Sequence, residues 1–471
     1  MDQNETENDP YYGAASGRSN QDDCTLADDN QLTTSINERL HRKFAYRFSG
    51  RYFLALLTGF QSPDAVNYYQ TMFPYCLSQN ISTIENAQMN SFQLGECHKN
   101  LLVGAFEYIE NTYEKKLDEK LSQKAYLGIE FQEKNVEKYP QIHDRLKELS
   151  RCLSSGLSAV LALIYKQKLY VASTGDTRAF LAREITDSSG ETYLKAISLT
   201  AVHSIDNPQE LKQLSDSRID IETIRANGRI GNMKLTRCLG NFYIKKFYKE
   251  FSEFKNTNSD LRIKWEPSLD DYSMDKSFKF LVLTSSTVIE LLNLIIEKTD
   301  KTDKKEDCNN DDEDKSQKLN ASIMLINMIN KYFTDKTNTM RMIAEKTLQE
   351  LINLYRNTCK QDNINLELSL IIRDLRAEFG YVREDIKIIS NNIKQQLQID
   401  VDAPIHINDY EDKDDKVDYP IEKNDNHNFD SVDDLDFIKN QTLSSSNDEI
   451  EPYVDFTSLL KAFADTESIE Q

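Results

Sequence analysis

Four large apolar side chains near the C-terminal end, Tyr453, Phe456, Leu460 and Phe463, recur at spacings of three, four and three. At 3.6 residues per turn that spacing puts them on one face of a helix, with Leu459 beside it. Pro452 suits the first helical turn. The face follows a strongly acidic stretch and has no core of its own to join. Its chemistry is that of an amphipathic helix laid into a partner's groove. Burying four such side chains contributes on the order of 6–12 kcal/mol gross. Association and ordering cost about 4–15 kcal/mol. Micromolar to sub-micromolar affinity is the expectation. Phe456, central and aromatic, is the expected hot spot. The competing reading is that this face packs back onto the folded part of the chain.

Residues that could do catalysis are scattered. Cys97-His98 is an adjacent pair with no second pair to complete a zinc site. His203 stands near a turn, where a histidine is usually a satisfied polar group rather than a ligand. Gly175-Asp176 lies between two short apolar runs and reads as hairpin chemistry. The seven cysteines are 24, 76, 97, 152, 238, 308 and 359, with no Cys-x-x-Cys pair. An odd number of single thiols points to a reduced, intracellular compartment.

The elements that must carry these residues mix strands and helices. Ser158–Tyr165, Lys168–Ser173 and Arg178–Ala182 are rich in Val, Leu, Ile and Tyr and are punctuated by Lys166-Gln167 and Thr174-Gly175-Asp176-Thr177, which predicts an antiparallel meander. Ile197–Leu199, Phe278–Leu283 and Ile386–Ile389 are further strand candidates. Helical spacing of apolar residues predicts helices over Asp64–Leu77, Leu102–Leu121, Pro208–Leu214, Thr287–Ile296, Ala321–Phe333 and Met340–Tyr355. Strands in the middle with long helices flanking them predict an α+β fold.

Charge divides the chain. It has 471 residues and a net charge of −21. Residues 401–471 alone hold 20 acidic and 5 basic residues. Such a balance disfavours nucleic acid and anionic membranes as partners. No apolar run reaches the roughly 18 residues of a membrane span. The polar N-terminus is not a signal peptide, so a cytoplasmic location is expected. The expected organisation is a flexible N-terminus over 1–10, a folded domain over 11–395 with a polar loop insert near 300–320, a disordered acidic linker over 396–450 and a docking helix over 451–465. The linker serines Ser444 to Ser446 could accept phosphate.

Several strings, in order, resemble the metal-dependent PPM-type Ser/Thr protein phosphatases. Lys168-Leu169-Tyr170-Val171-Ala172 with Gly175-Asp176-Thr177-Arg178-Ala179 is similar to that family's strand, Gly-Asp turn and next strand. Leu199-Thr200-Ala201-Val202-His203 is similar to its "LTxDH" element and Thr236-Arg237-Cys238-Leu239-Gly240-Asn241 to its "SRxxGD" element. Trp265-Glu266-Pro267 and Phe280-Leu281-Val282-Leu283 follow. The resemblance implies a four-layer α-β-β-α sandwich. Arg18, in Ser16-Gly17-Arg18-Ser19, could match the family's phosphate-gripping Arg.

The resemblance also implies two divalent metals held by carboxylates, and there the chain departs. In Leu57-Thr58-Gly59-Phe60, Thr58 stands where the family has Asp and Phe60 where it has His. In Thr284-Ser285-Ser286-Thr287, Ser286 stands where a second Asp belongs. Glu384-Asp385 is read in the place of a late Asp-Asn pair. Two neutral hydroxyls leave a dinuclear centre short of charge, and interior charge interactions are worth several kcal/mol each (on the order of 4 at an effective dielectric near 20). No catalytic metal, no catalytic residue and no cofactor are therefore expected.

The family includes a pseudophosphatase adaptor, and this chain resembles it at Asn207–Ser215 and at Glu451-Pro452-Tyr453-Val454-Asp455-Phe456. The latter is very similar to a short terminal kinase-docking motif, but Thr457–Phe463 follows in place of that motif's further aromatics. What the resemblance implies is a non-enzymatic adaptor. It binds the catalytic domain of a TGF-β-activated-type MAP kinase kinase kinase through the terminal helix and promotes its autophosphorylation in stress and innate immune signalling. It further implies a stress-activated MAP kinase and an inhibitor-of-apoptosis protein as partners, although 396–450 carries no docking string pairing basic and aliphatic residues. The alternative is a divergent active metal-dependent phosphatase whose metal cluster is rebuilt from Asp64, Asp275, Glu290, Glu384 and Asp385. A scaffold for a different partner is a third reading.

Overall fold

Strand β3 (Arg51–Phe60) buries both of its faces: Phe53, Ala55 and Leu57 pack to one side, Leu54 and Leu56 to the other. A strand covered on both faces reads as a continuous apolar run, because successive side chains point in opposite directions. β4 (Gly156–Tyr165) repeats the pattern, with Ala159, Leu161 and Leu163 opposed to Val160, Ala162 and Ile164. These two strands are the centre of one half of the fold. The computed structural model of the chain describes residues 12–19, 40–85, 89–133, 140–254, 263–306, 320–360 and 364–381.

The first sheet has the order β2 (His41–Phe48), β3, β4, β5 (Lys168–Thr174) and β9 (Ser268–Ser273), with the two-residue β8 (Leu239–Gly240) paired to β4. The second runs β1 (Tyr12–Ser19), β11 (Ile364–Asp374), β10 (Phe278–Thr284), β6 (Arg178–Thr186) and β7 (Thr192–Ser198). The pairs along both sheets are antiparallel. Leu54, Leu56, Val160 and Val171 from the first sheet meet Ala179, Leu181, Leu283 and Ile371 from the second in one apolar layer.

Helices cover both outer faces. Among the described residues they are α1 (Pro63–Glu85), α2 (Ser91–Lys116), α3 (Asp118–Glu133), α4 (Pro140–Leu153), α5 (Pro208–Asp216), α6 (Ile221–Asn227), α7 (Phe242–Phe247), α8 (Ser286–Glu306), α9 (Ala321–Phe333) and α10 (Met340–Cys359). Tyr69 and Phe73 of α1 and Leu102 and Phe106 of α2 pack on the first sheet. Leu292 of α8, Ile329 of α9 and Leu351 of α10 pack on Phe280, Val282 and Ile372 of the second. The result is the expected α-β-β-α order of layers. Ile224, Ile230, Ile244 and Phe254 form a separate small core beside it.

Four expectations need correction. The strands at 158–186 are not one meander: β4 and β5 pair, but β6 lies in the other sheet. The chain crosses between sheets at Thr174–Thr177, where Gly175 adopts φ +85°. A Cβ there would lie 2.1 Å from Ser158 Oγ, so only glycine permits the close approach. Strands are also not confined to the middle of the chain, since β1 pairs with β11 across more than 340 residues. The helix expected over Leu102–Leu121 is two, α2 and α3, separated at Leu117. Helix α8 continues to Glu306, so the polar insert begins inside a helix. Residues 1–10, the strand candidate Ile386–Ile389, and the expected linker and terminal helix over 396–465 lie outside the described residues.

Candidate functional site

Three chain segments end at the same edge of the two sheets. They are the C-terminal end of β3, the Thr174–Thr177 crossover, and the junction of β10 with α8. Thr58 sits in β3 opposite His41 of β2 and Ser158 of β4. Its Oγ1 lies 2.8 Å from Thr177 Oγ1, and both side chains are buried. Each hydroxyl therefore answers the other. Gly59 N–H donates to Leu40 O at 2.7 Å, and a Cβ at Gly59 would lie 2.8 Å from that oxygen. Asp176 accepts from Ser158 Oγ at 2.8 Å, while Asp176 N–H donates back to that hydroxyl at 3.2 Å.

The β10–α8 junction is also a hydroxyl cluster. Ser286 is the first residue of α8. On either side of it, Ser285 Oγ and Thr287 Oγ1 share a hydrogen bond of 2.8 Å. Ser369 N–H donates to Ser285 Oγ at 3.2 Å, and Thr287 Oγ1 donates to Glu367 O at 2.8 Å. Ser369 Oγ in turn bonds His41 Nδ1 at 3.0 Å and Ser16 Oγ at 3.2 Å. The Glu367 carboxylate accepts from Leu40 N–H at 2.9 Å and His41 N–H at 3.2 Å. Thr58 and the residues flanking Ser286 are thus linked through His41 and Ser369. Neither Thr177 nor this histidine–serine relay was legible as part of the site, because their contacts join strands far apart in sequence.

The three described candidate carboxylates, Asp64, Asp275 and Glu290, each have other surroundings and do not form one cluster. Burial and then the Asp176 carboxylate push the Glu290 carboxyl up from its usual range, with Lys234 and Arg178 acting in the opposite direction. The two carboxylates repel one another electrostatically. Asp64 instead accepts from Ser62 Oγ at 2.8 Å at the start of α1. Asp275 binds Ser277 and lies 3.4 Å from Arg183 at the far end of β10. Glu384 and Asp385 lie outside the described residues, as does the Arg18 side chain. A literal Asp-Asn string occurs at Asp362-Asn363, directly before β11 in the chain, and reading Glu384-Asp385 in its place overlooked it.

His203 is held as a structural group. Gly175 N–H donates to its Nδ1 at 3.2 Å, which leaves the proton on Nε2, 2.7 Å from Ser268 Oγ. Burial and then Arg237 lower its pKa to about 4, so it is neutral at pH 7. Arg237 grips Glu210 with two bonds, Nη2 to Oε1 at 2.7 Å and Nε to Oε2 at 3.1 Å, while Thr236 Oγ1 donates to Oε2 at 2.7 Å. Burial disfavours the Glu210 carboxylate, but these donors outweigh it and hold its pKa below the usual value. This clamp joins the start of α5 to the Thr236–Asn241 segment. His98, the other candidate, is also buried, accepts from Arg51 Nε at 2.9 Å and lies between the Tyr165 and Tyr170 rings. Its pKa is lowered to about 3 by burial and then by Arg51.

A pair of divalent cations, which the resemblance implies for an active member, needs several converging anionic oxygens. The described donors do not fit that need. Thr58 is a neutral hydroxyl paired with Thr177, Asp176 accepts from Ser158 with one oxygen, and Glu367 accepts from two backbone N–H groups. Among the described residues no three His, Cys, Asp or Glu side chains converge as a metal cluster.

Comparison with known proteins places this site in a family. The sequence model of "Protein phosphatase 2C" matches residues 59–294, half of the chain. "Probable protein phosphatase 2C 40" of Arabidopsis thaliana is 28% identical over 158 residues, 32% of this chain and 31% of that protein. "Protein phosphatase 2C 1" of Paramecium tetraurelia is 28% identical over 190 residues, 38% of this chain and 57% of that protein. The matches thus span between about a third and somewhat over half of these relatives' lengths. Among solved structures, a serine-threonine phosphatase 2C from Toxoplasma gondii is similar at a TM-score of 0.43 and 11% identity, covering 71% of this chain and 90% of that one. Among the described residues no helix is long and apolar enough to cross a membrane. The match over residues 59–294 includes the Gly175-Asp176 crossover, the His203 and Arg237 segments and the β10–α8 junction, and the chain belongs to the protein phosphatase 2C family.

Proposed function

We propose that this chain is a non-catalytic member of the family, a pseudophosphatase that acts as a cytoplasmic adaptor. The observation that supports this most is the Thr58–Thr177 pair: a neutral hydroxyl, satisfied by a second neutral hydroxyl, takes the position where the resemblance calls for a metal-bridging carboxylate. Ser286 makes the same exchange at the start of α8. The chain binds the catalytic domain of a TGF-β-activated-type kinase through Tyr453, Val454, Phe456, Leu459, Leu460 and Phe463. The 451–456 string, similar to the docking motif of the family's kinase-binding adaptors, supports this choice of partner. To activate the kinase, the segment must bind its active state more tightly than its inactive state. The test is autophosphorylation of the purified kinase domain with and without the full-length protein. An equal rate in the two samples overturns the activator reading.

The repulsion between the Asp176 and Glu290 carboxylates favours a second reading. In it the chain is a divergent phosphatase with a rebuilt metal cluster. Mn²⁺-dependent hydrolysis of a generic phosphate ester that is abolished by Glu290→Ala would establish that reading in place of the first.

A further inference from the structure

A second concave surface lies on the opposite side of the second sheet from the inter-sheet core. It is a cavity of about 420 Å³ at the edge strand β7, floored by Leu194 and Phe333 and walled by Tyr193 and Tyr381. Tyr193 and Tyr381 are both exposed. The Arg376 guanidinium stacks over the Phe333 ring and the Tyr381 ring, 4.2 Å from each centroid. That stack makes a stiff aromatic wall. Lys279 and Lys336 complete the mouth. Lys279 is 2.9 Å from Glu184, and Arg376 is 2.7 Å from the buried Asp374. Three cations against two carboxylates leave the mouth net positive. The volume is in the range of ligand pockets and suits two aromatic side chains.

Tyr381, a wall of this cavity, is also the last described residue, and 90 residues of the sequence follow it. Those residues carry most of the chain's acidic excess. Within them only 451–463 combines aromatic side chains at helical spacing with acidic residues, here Glu451 and Asp455. Tyr453 lies 72 residues beyond Tyr381. Fully extended, that many residues span at most about 240 Å, so the chain is long enough to return to Tyr381.

We propose that residues 453–463 dock in this cavity of their own domain, with Tyr453 and Phe456 as anchors and the acidic residues against Lys279 and Lys336. The docked state masks the segment from its partner. This rests on the reading of 453–463 as a docking helix. Tethering supplies an effective concentration of about 1 mM. With an intrinsic groove affinity of about 0.1 mM, the closed form outnumbers the open one about tenfold, and partner binding weakens by the same factor.

The test is amide hydrogen exchange on the full-length protein and on its Phe456→Ala, Tyr193→Ala and Lys279→Ala variants. Tyr193 and Lys279 are surface positions, so two independent groove variants guard against a folding defect in either. The expected result is reciprocal. Phe456→Ala speeds exchange in β7, and each groove variant speeds exchange over 453–463 several-fold, at rates independent of protein concentration. Unchanged rates overturn the proposal. Protection of 453–463 that grows with concentration also overturns it, because the occupant is then a second copy. Titration of the kinase domain separates the two claims. Tighter binding by the groove variants supports masking, whereas no binding by any form defeats the adaptor reading and leaves the exchange result standing on its own.

Discussion

Thr58 and Thr177 meet through their hydroxyls at 2.8 Å, from a strand of one sheet and from the crossover into the other. Neither carries charge, so the pair holds the two sheets together at the edge where an active family member would concentrate anions. A buried carboxylate without a cation or strong donors is costly.

Thr58→Asp is therefore expected to lower unfolding stability by about 2–4 kcal/mol in the absence of divalent cation. Thr58→Val, which leaves Thr177 Oγ1 without this partner, should cost about 1–2 kcal/mol. Urea unfolding of the three proteins gives the order directly. Equal stability of the Asp variant and the wild type would show that the site accepts charge.

The Glu210–Arg237 clamp is nearly buried, with the two side chains 7% and 15% exposed. Arg237→Ala leaves a buried carboxylate uncompensated and should cost about 3–5 kcal/mol. Arg237→Lys should fall between, since an ammonium cannot reproduce two parallel bonds. Denaturant midpoints compared at constant slope read this out.

Acid should destabilise the fold through two histidines. Burial, with Arg237 for one and Arg51 for the other, lowers His203 to about 4 and His98 to about 3. In the unfolded chain both titrate near 6.5. Below that pH the unfolded state binds protons that the folded state refuses, so stability present above about pH 6.5 falls with pH until about 4 for His203 and about 3 for His98. At pH 5 the loss is about 2 kcal/mol per histidine. Stability measured from pH 7 to 4.5 should show this decline, and His203→Gln should make it shallower. A flat profile would mean that the histidines are not held neutral.

Gly175→Ala should prevent or severely weaken folding, because φ is +85° and the added Cβ meets the Ser158 hydroxyl and backbone. The measurement is recovery of cooperative unfolding. Ser158→Ala in the same chain should restore little, since the Ser158 Cα remains 2.9 Å from the added atom.

What could be read from sequence followed local pattern. Ala321–Phe333 forms the helix its 3.6-residue spacing predicts, and Phe278–Thr284 forms the strand its apolar run predicts. Thr58 and Ser286 were identifiable by their place in family-like strings. Their surroundings were not. Thr177 reaches the site across 119 residues, and His41, Glu367 and Ser369 meet there only through contacts across more than 300 residues, which no short-range pattern records. β6 was misplaced for a related reason: a Gly-Asp turn between two apolar runs fits a hairpin and a sheet-to-sheet crossover equally well. β1 was missed because Tyr12–Ser19 is small and polar and pairs with β11 at the other end of the chain.

The adaptor reading meets its most direct test in calorimetric titration of a TGF-β-activated-type kinase domain with the full-length protein and with its Phe456→Ala variant. The account predicts micromolar or tighter binding that the substitution weakens at least tenfold. No binding by the intact protein, or binding that Phe456→Ala leaves unchanged, would contradict it.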